Sequence, residues 1–208
     1  MHLRRIFYLF ALVLCLLFCL PAMAHWYKVT WVIDGDTIIL EDGRHVRYLG
    51  INAPEIPHDD KPGEPFGKEA LKFNIDLVKN KYVRLEMDRE KTDRYGRILA
   101  YVFLKDGTFV NAALIKKGYA YVLSIGPNIK YRDLLLKYQR EAMKDNKGIW
   151  TVILNETAPY YIGNKKTKVF HRPDCPFGLR TSLFNRIKFH SKWDAFYEGY
   201  RPCKRCQP

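Results

Sequence analysis

Tyr27-Lys28-Val29-Thr30-Trp31-Val32-Ile33-Asp34-Gly35-Asp36-Thr37-Ile38-Ile39-Leu40 is the stretch on which the fold turns. Tyr27 to Ile33 alternates as a half-buried strand does, Asp34-Gly35-Asp36 reads as a tight turn, and Thr37 to Leu40 is β-branched and apolar. Glu41-Asp42-Gly43-Arg44 supplies a second turn, and His45 to Leu49 a third strand. Ile51 to Pro65 is a loop rich in proline and charge, too long for a simple connector. Phe66 to Asn80 places Ala70, Leu71, Phe73, Ile75, Leu77 and Val78 at mainly helical spacing, which predicts an amphipathic helix. Strands resume at Tyr82 to Met87 and Ile98 to Leu104, and Lys105-Asp106-Gly107 turns the chain back through Thr108 to Val110. Asn111 is expected to cap a short helix, Ala112 to Lys117, that stops at Gly118. Tyr131 to Asp145 predicts a longer, charged helix ending near Gly148. Short strands with helices inserted between and after them indicate an α+β domain, a small OB-like barrel with helical packing.

Four segments concentrate polar chemistry on that frame: Val32 to Thr37, Val46 to Glu55, Asp93-Arg94-Tyr95-Gly96-Arg97, and Gly107 to Asn111. They put Asp36, Asn52 and Glu55 with Arg47 and Arg97 at strand ends and turns, where side chains converge on a barrel rim. Hydrolysis of a phosphodiester needs these residue types. A carboxylate such as Glu55 suits the task of aiming and deprotonating water. Guanidinium groups, here Arg47 and Arg97, suit the charge that grows on the equatorial phosphate oxygens. A hard divalent ion prefers oxygen ligands, which Asp36, Asn52 and a neighbouring carbonyl can supply. Singly, each residue is ordinary for its position: Asp34-Gly35-Asp36 alone is a hairpin turn, and Arg47 alone a solvated strand residue. Their order and spacing carry the argument.

The chain from about Tyr27 to Trp150 resembles the staphylococcal nuclease (thermonuclease) family. The likeness rests on Ile33 to Thr37, Arg47 with Leu49, Ala53-Pro54-Glu55, Asp93 to Arg97, Leu99-Ala100-Tyr101, Val110-Asn111 with Ala113-Leu114 and Gly118, and Gly148-Ile149-Trp150. It implies a five-stranded OB-fold β-barrel with helices, hydrolysing DNA and RNA with calcium. By that likeness Arg47, Glu55 and Arg97 are catalytic, and Asp36, Asn52 and the Ala53 carbonyl hold calcium. Tyr95 lies where the family packs near its substrate. One position departs from the family pattern: Asn52 stands where an aspartate is expected. An amide oxygen can ligate calcium but brings no charge, so weaker calcium binding is expected.

A second cluster lies near the end of the sequence. His171 and Cys175 precede Cys203-Lys204-Arg205-Cys206, which together offer the Cys3His set that tetrahedral zinc prefers. A disulfide between Cys203 and Cys206 is the competing reading, but it leaves His171 and Cys175 without a role. Four protein ligands leave no open position for water, so this zinc is expected to be structural and needed for folding. Residues 164–208 resemble the zinc-binding domain of Ada-type methylphosphotriester-repair proteins, chiefly through Tyr161 to Asn164 and Arg201 to Cys206. In that family the first ligand is the methyl-accepting cysteine. His171 stands there here, so methyl transfer is not expected. Arg172, Arg180, Lys204 and Arg205 make the module a candidate for added grip on nucleic acid.

The bulk numbers agree with a polyanionic partner. The 208 residues carry a formal charge of +13, with 48% hydrophobic and 27% charged residues, a balance that excludes extensive disorder. Residues 1–24 read as a signal peptide: Arg4 and Arg5, the apolar run Ile6 to Leu20, then Pro21 and Ala22-Met23-Ala24. The run is shorter than the roughly 20 residues of a spanning helix, so cleavage before His25 is expected. The expected organisation is residues 25–152 as the nuclease-like domain, 153–163 as linker and 164–208 as zinc domain. The expected product is an exported monomer, secreted or periplasmic, with DNA or RNA as substrate and no stable membrane association. A different class of function competes: a non-catalytic nucleic-acid-binding protein that uses barrel and zinc module as a platform. The joint presence of Arg47, Glu55 and Arg97 speaks for the enzyme, and Asn52 for the platform.

Overall fold

The computed structural model describes residues 25–58, 62–155 and 158–208. The expected signal peptide lies outside the described residues. Five strands, β1 (Trp26–Val32), β2 (Thr37–Leu40), β3 (His45–Tyr48), β5 (Tyr82–Glu86) and β6 (Ile98–Leu104), close into a barrel in the order β1-β2-β3-β6-β5. Neighbours run antiparallel except β3 and β6, which pair in parallel from Val46 opposite Ile98 to Tyr48 opposite Ala100. Alternating side chains fill the interior with Val29, Ile38, Leu40, Val46, Val83, Ala100 and Val102, all buried.

Helix α1 (Gly67–Val78) buries Ala70, Asn74 and Val78, a spacing of four that lays one stripe on the barrel. Asn74 is a polar peg in that stripe. Its side chain donates to the Asp34 carbonyl at 3.0 Å and accepts from the Tyr48 hydroxyl at 2.9 Å, fixing the helix to the first turn. Helix α2 (Val110–Lys116) follows the barrel, and α3 (Arg132–Lys144) buries Leu135, Leu136, Gln139, Ala142 and Met143 along one face.

Three expectations are corrected here. Thr108 to Val110 is not a strand; only Phe109 bridges to Phe103. Asn111 is not a cap but lies inside α2, fully buried. Its amide donates to the Leu49 carbonyl at 2.8 Å and its oxygen accepts from the Val102 N–H at 3.0 Å. The Gly107 to Asn111 segment therefore supports the barrel from behind and brings no chemistry to its rim. Within the expected loop, Ile51–Asn52 forms a two-residue strand, β4, antiparallel to β7 (Tyr121–Val122).

The second unit is a four-stranded sheet ordered β10-β8-β9-β11, built from β8 (Tyr161–Asn164), β9 (Val169–His171), β10 (Arg186–Phe189) and β11 (Arg201–Pro202). Strand β8 begins inside the stretch expected as linker. Short helices α4 (Pro176–Leu179) and α5 (Lys192–Tyr197) complete the unit. It does not hang from a tether. Ala142, Met143, Ile149 and Trp150 share one buried cluster with Tyr161, Phe170, Phe189 and Phe196. Gln139, buried on α3, accepts from the Val122 N–H at 2.6 Å and donates to the Phe196 carbonyl at 2.6 Å. Among the described residues no helix is long and apolar enough to cross a membrane.

Candidate active site

The first turn is pressed against the barrel end so closely that only glycine fits at its centre. A Cβ on Gly35 would lie 2.5 Å from the Ala53 Cβ and 2.8 Å from the Ala70 Cβ. That approach brings Asp36 under β4. The Ala53 N–H donates to Asp36 Oδ2 at 2.7 Å, and Arg47, one strand over on β3, places Nη2 2.9 Å from the same oxygen. Arg47 also gives Nη1 to the Tyr48 and Ile51 carbonyls at 2.8 and 3.0 Å, and Nη2 to Asn52 Oδ1 at 3.2 Å. One guanidinium thus ties together the turn, β3 and β4. Burial pushes the Asp36 carboxyl up to about 7, against the opposing pull of Arg47 and the Ala53 N–H.

Arg97 reaches the rim from the Asp93 to Arg97 turn. Its Nε and Nη2 lie 2.8 and 2.7 Å from Asp93 Oδ2, while Asp93 Oδ1 accepts from the Tyr95 and Arg97 N–H groups at 2.9 and 3.1 Å. Nη1 of Arg97 keeps no protein partner among the described residues. Tyr95 is 68% exposed at the lip, with Arg94 and Arg97 over its ring at 4.8 and 5.5 Å. Asp93 lies in the quoted turn but was given no role of its own; the structure shows it holding Arg97, an i,i+4 pair visible in the sequence.

Glu55 is held by its backbone and left free at its side chain. Its N–H donates to Glu64 Oε2 at 3.1 Å, and its carbonyl accepts from the Glu64 N–H at 2.8 Å. Helix α1 starts directly beneath, where any side chain on Gly67 would collide with the Glu55 carbonyl. The exposed carboxylate borders a cleft of about 770 Å³ that is also lined by Asp36, Arg47, Asn52, Tyr95 and Arg97. Every side chain expected to be catalytic, metal-binding or substrate-binding on the barrel therefore meets in one cavity. Asp34, Glu90 and Asp93 line it too, with Arg94 and Lys204, so the cleft wall mixes carboxylates and cations closely.

Asp36, Asn52 and Ala53 offer a carboxylate, an amide oxygen and a carbonyl, an all-oxygen set suited to a hard cation. They are preassembled around the Asn52 amide, whose Nδ2 donates to the Ala53 carbonyl at 3.1 Å. Shared ligation would require that amide to turn over, presenting Oδ1 beside the same carbonyl and giving up the bond from Arg47 Nη2. In the second unit, ligand atoms of His171, Cys175, Cys203 and Cys206 all lie within 4.8 Å of one another, and all four residues are buried. Zinc–sulfur bonds of about 2.3 Å require thiolates about 3.8 Å apart, and Cys175 Sγ already sits 3.5 Å from His171 Nδ1. The Arg172 N–H points at Cys206 Sγ at 3.4 Å, an outer contact that steadies a thiolate ligand. The donor set fits zinc.

The family profile described as staphylococcal nuclease homologue matches residues 45–152. The chain belongs to the staphylococcal nuclease homologue family. A thermonuclease of Staphylococcus intermedius is 46% identical over 127 residues, spanning 60% of this chain and 75% of the relative. A thermonuclease of Staphylococcus hyicus is 44% identical over 128 residues, with the same shares. Endonuclease YncB of Bacillus subtilis is 40% identical over 124 residues, 57% of this chain and 58% of its own length. Residues 155–208 match a second profile, the metal binding domain of Ada. Nuclease-homologue barrel and Ada-type metal domain thus share one chain, and the buried cluster around Phe196 joins them.

Proposed function

We propose that the protein is an exported nuclease that hydrolyses phosphodiester bonds of DNA or RNA with calcium and little sequence preference. The observation that carries this reading is the convergence of Arg47, Glu55 and Arg97 with Asp36 and Asn52 in one cleft, with the Ala53 carbonyl next to the Asn52 amide. In the proposed reaction Glu55 takes a proton from a water whose oxygen attacks phosphorus, the bond from phosphorus to the leaving oxygen breaks, and that oxygen takes a proton from solvent. Arg97 offers its unpaired Nη1 to an equatorial oxygen, braced from behind by Asp93. Arg47 is committed on both Nη atoms here, so its share requires the Asp36 and Asn52 contacts to be exchanged for phosphate oxygens. Calcium held by Asp36, Asn52 and Ala53 would neutralise the phosphate and polarise it. Position 52 brings a neutral amide where a carboxylate would add charge, which supports weak calcium binding. The His171, Cys175, Cys203 and Cys206 site would hold structural zinc and do no chemistry.

Degradation of single- and double-stranded DNA by the chain beginning at His25 tests the reading. Cleavage should need calcium, stop with a chelator, and fall at least about 10²-fold in Glu55→Gln, the scale of a lost general base. Cleavage that survives in Glu55→Gln would remove that carboxylate from the mechanism. DNA binding with no cleavage under any divalent ion would leave the non-catalytic platform standing.

A further inference from the structure

The active-site cleft does not end at the barrel. A second cavity of about 930 Å³ runs between Pro54 to His58 and Pro62 to Pro65 on one side and the C-terminal residues Pro202 to Pro208 on the other. Asn52, Glu55 and Lys204 line both cavities, so the two adjoin, with Glu55 where they meet. The floor of the second cavity is apolar, formed by Tyr121, Ile149, Ile153 and Phe196.

Among the described residues Lys204 is the one residue of the metal module on the wall of the inner cleft. Arg172, Arg180 and Arg205, the other cations expected to grip nucleic acid, line neither cavity. Lys204 sits between two of the four metal ligands, on a turn closed by the Gln207 N–H to the Cys203 carbonyl at 2.9 Å. The Cys203 N–H in turn bonds the Phe170 carbonyl at 2.9 Å, anchoring the turn to the sheet. Its side chain is exposed and has no ion-pair or hydrogen-bond partner among the described residues. The inner cleft's other cations differ: Arg47 is bound to Asp36, Arg97 to Asp93, and Arg94 to the Tyr95 hydroxyl. An unpaired ammonium on a fixed turn, facing the cleft, suits a phosphate of a passing strand.

We propose that Lys204 is a substrate-binding residue of the nuclease site, contacting a non-scissile phosphate of a single polynucleotide strand. The strand leaves the scissile position along the second cavity between barrel and metal module, its sugars and bases over the apolar floor. The metal module is then one wall of the active site. This inference rests on the nuclease reading above.

The test uses the full chain from His25 in a Glu55→Gln background, so that a fluorescent single-stranded oligonucleotide is bound and not cut. Anisotropy titrations over a range of salt at constant calcium give the salt slope of affinity. Lys204→Gln should weaken binding on the order of fivefold at low salt and reduce the slope by about 0.7, one phosphate contact on a single strand. Lys204→Arg should restore the slope, because it keeps the charge. Lys166→Gln, exposed on the same module and lining neither cavity, should leave it in place. Zinc content measured on each protein shows that the module is folded. An unchanged slope in zinc-loaded Lys204→Gln, or an equal loss in Lys166→Gln, overturns the proposal. Failure of the nuclease reading is a separate result: the parent chain, with Glu55 intact, would not cleave at all.

Discussion

At Asn52 a single atom separates two ligand chemistries. The amide now bridges Arg47 Nη2, at 3.2 Å from Oδ1, and the Ala53 carbonyl, at 3.1 Å from Nδ2. Aspartate there would replace a donor facing the carbonyl with a second negative oxygen beside Asp36. Calcium affinity follows the charge of its ligands, and Arg47 is in place to offset the repulsion between the two carboxylates. Asn52→Asp should therefore lower the calcium concentration for half-maximal DNA cleavage, on the order of tenfold. A calcium titration of initial rates reads this directly; no shift, or a rise, would mean Asn52 is no ligand. The importance of position 52 was legible in the sequence, since an amide stood where resemblance implied a carboxylate. The Arg47 network was not. Two of its acceptors are main-chain carbonyls, of Tyr48 and Ile51, which side-chain spelling does not reveal.

Strand β5 meets the approach to α3 through Glu86. Its Oε1 lies 2.6 Å from Lys130 Nζ and 2.9 Å from the Tyr131 hydroxyl, and its Oε2 lies 3.2 Å from Arg84 Nη1. Partial burial works to raise the Glu86 carboxyl, but the bonds from Lys130, Tyr131 and Arg84 outweigh it and hold it below its ordinary value of 4.5. A depressed carboxyl stabilises the fold above 4.5, and that contribution is lost as pH falls through the depressed folded value. Glu86→Gln should thus unfold at lower temperature than the parent at pH 7, with the gap narrowing as pH falls below 4.5. Melting curves across that range check it; a gap independent of pH would assign the loss to packing. The long strands and α1 and α3 were readable from local alternation and helical spacing, because each buries one face on the barrel. Two-residue β4 and β7 were not, since so short a pair is defined only by the partner that tertiary structure supplies. Asn111 was misread for a related reason: asparagine favours caps, and only the closed barrel shows the Leu49 carbonyl and Val102 N–H it satisfies.

On the scale of the whole molecule the question is whether the metal module is cargo or structure. Residues 161–208 hold little core of their own, and the buried Cys3His cluster sits where a larger domain would have apolar side chains. Phe196 packs edge-on to Trp150 at 5.2 Å and to Tyr121 at 5.6 Å, so part of the module's core is also the barrel's. Gln139 extends the dependence to the active site. It holds Val122, whose strand β7 pairs with β4 and so with Asn52. The Cys3His cluster and its part in folding were legible beforehand; the docking was not, because local patterns describe each unit separately and Lys204 becomes a cleft residue only once they meet. Stripping zinc with a strong chelator should unfold the module and also loosen the barrel. Loss of the Phe196 packing, with the Gln139 amide left unpaired, should lower the barrel's melting midpoint by about 5–10 °C. Trp150, 1% exposed in the folded chain, would report the change by fluorescence. A barrel transition unmoved by zinc removal would show that the shared cluster adds no stability. A fall on chelation, reversed by zinc and not by calcium, would make the module part of the enzyme's fold.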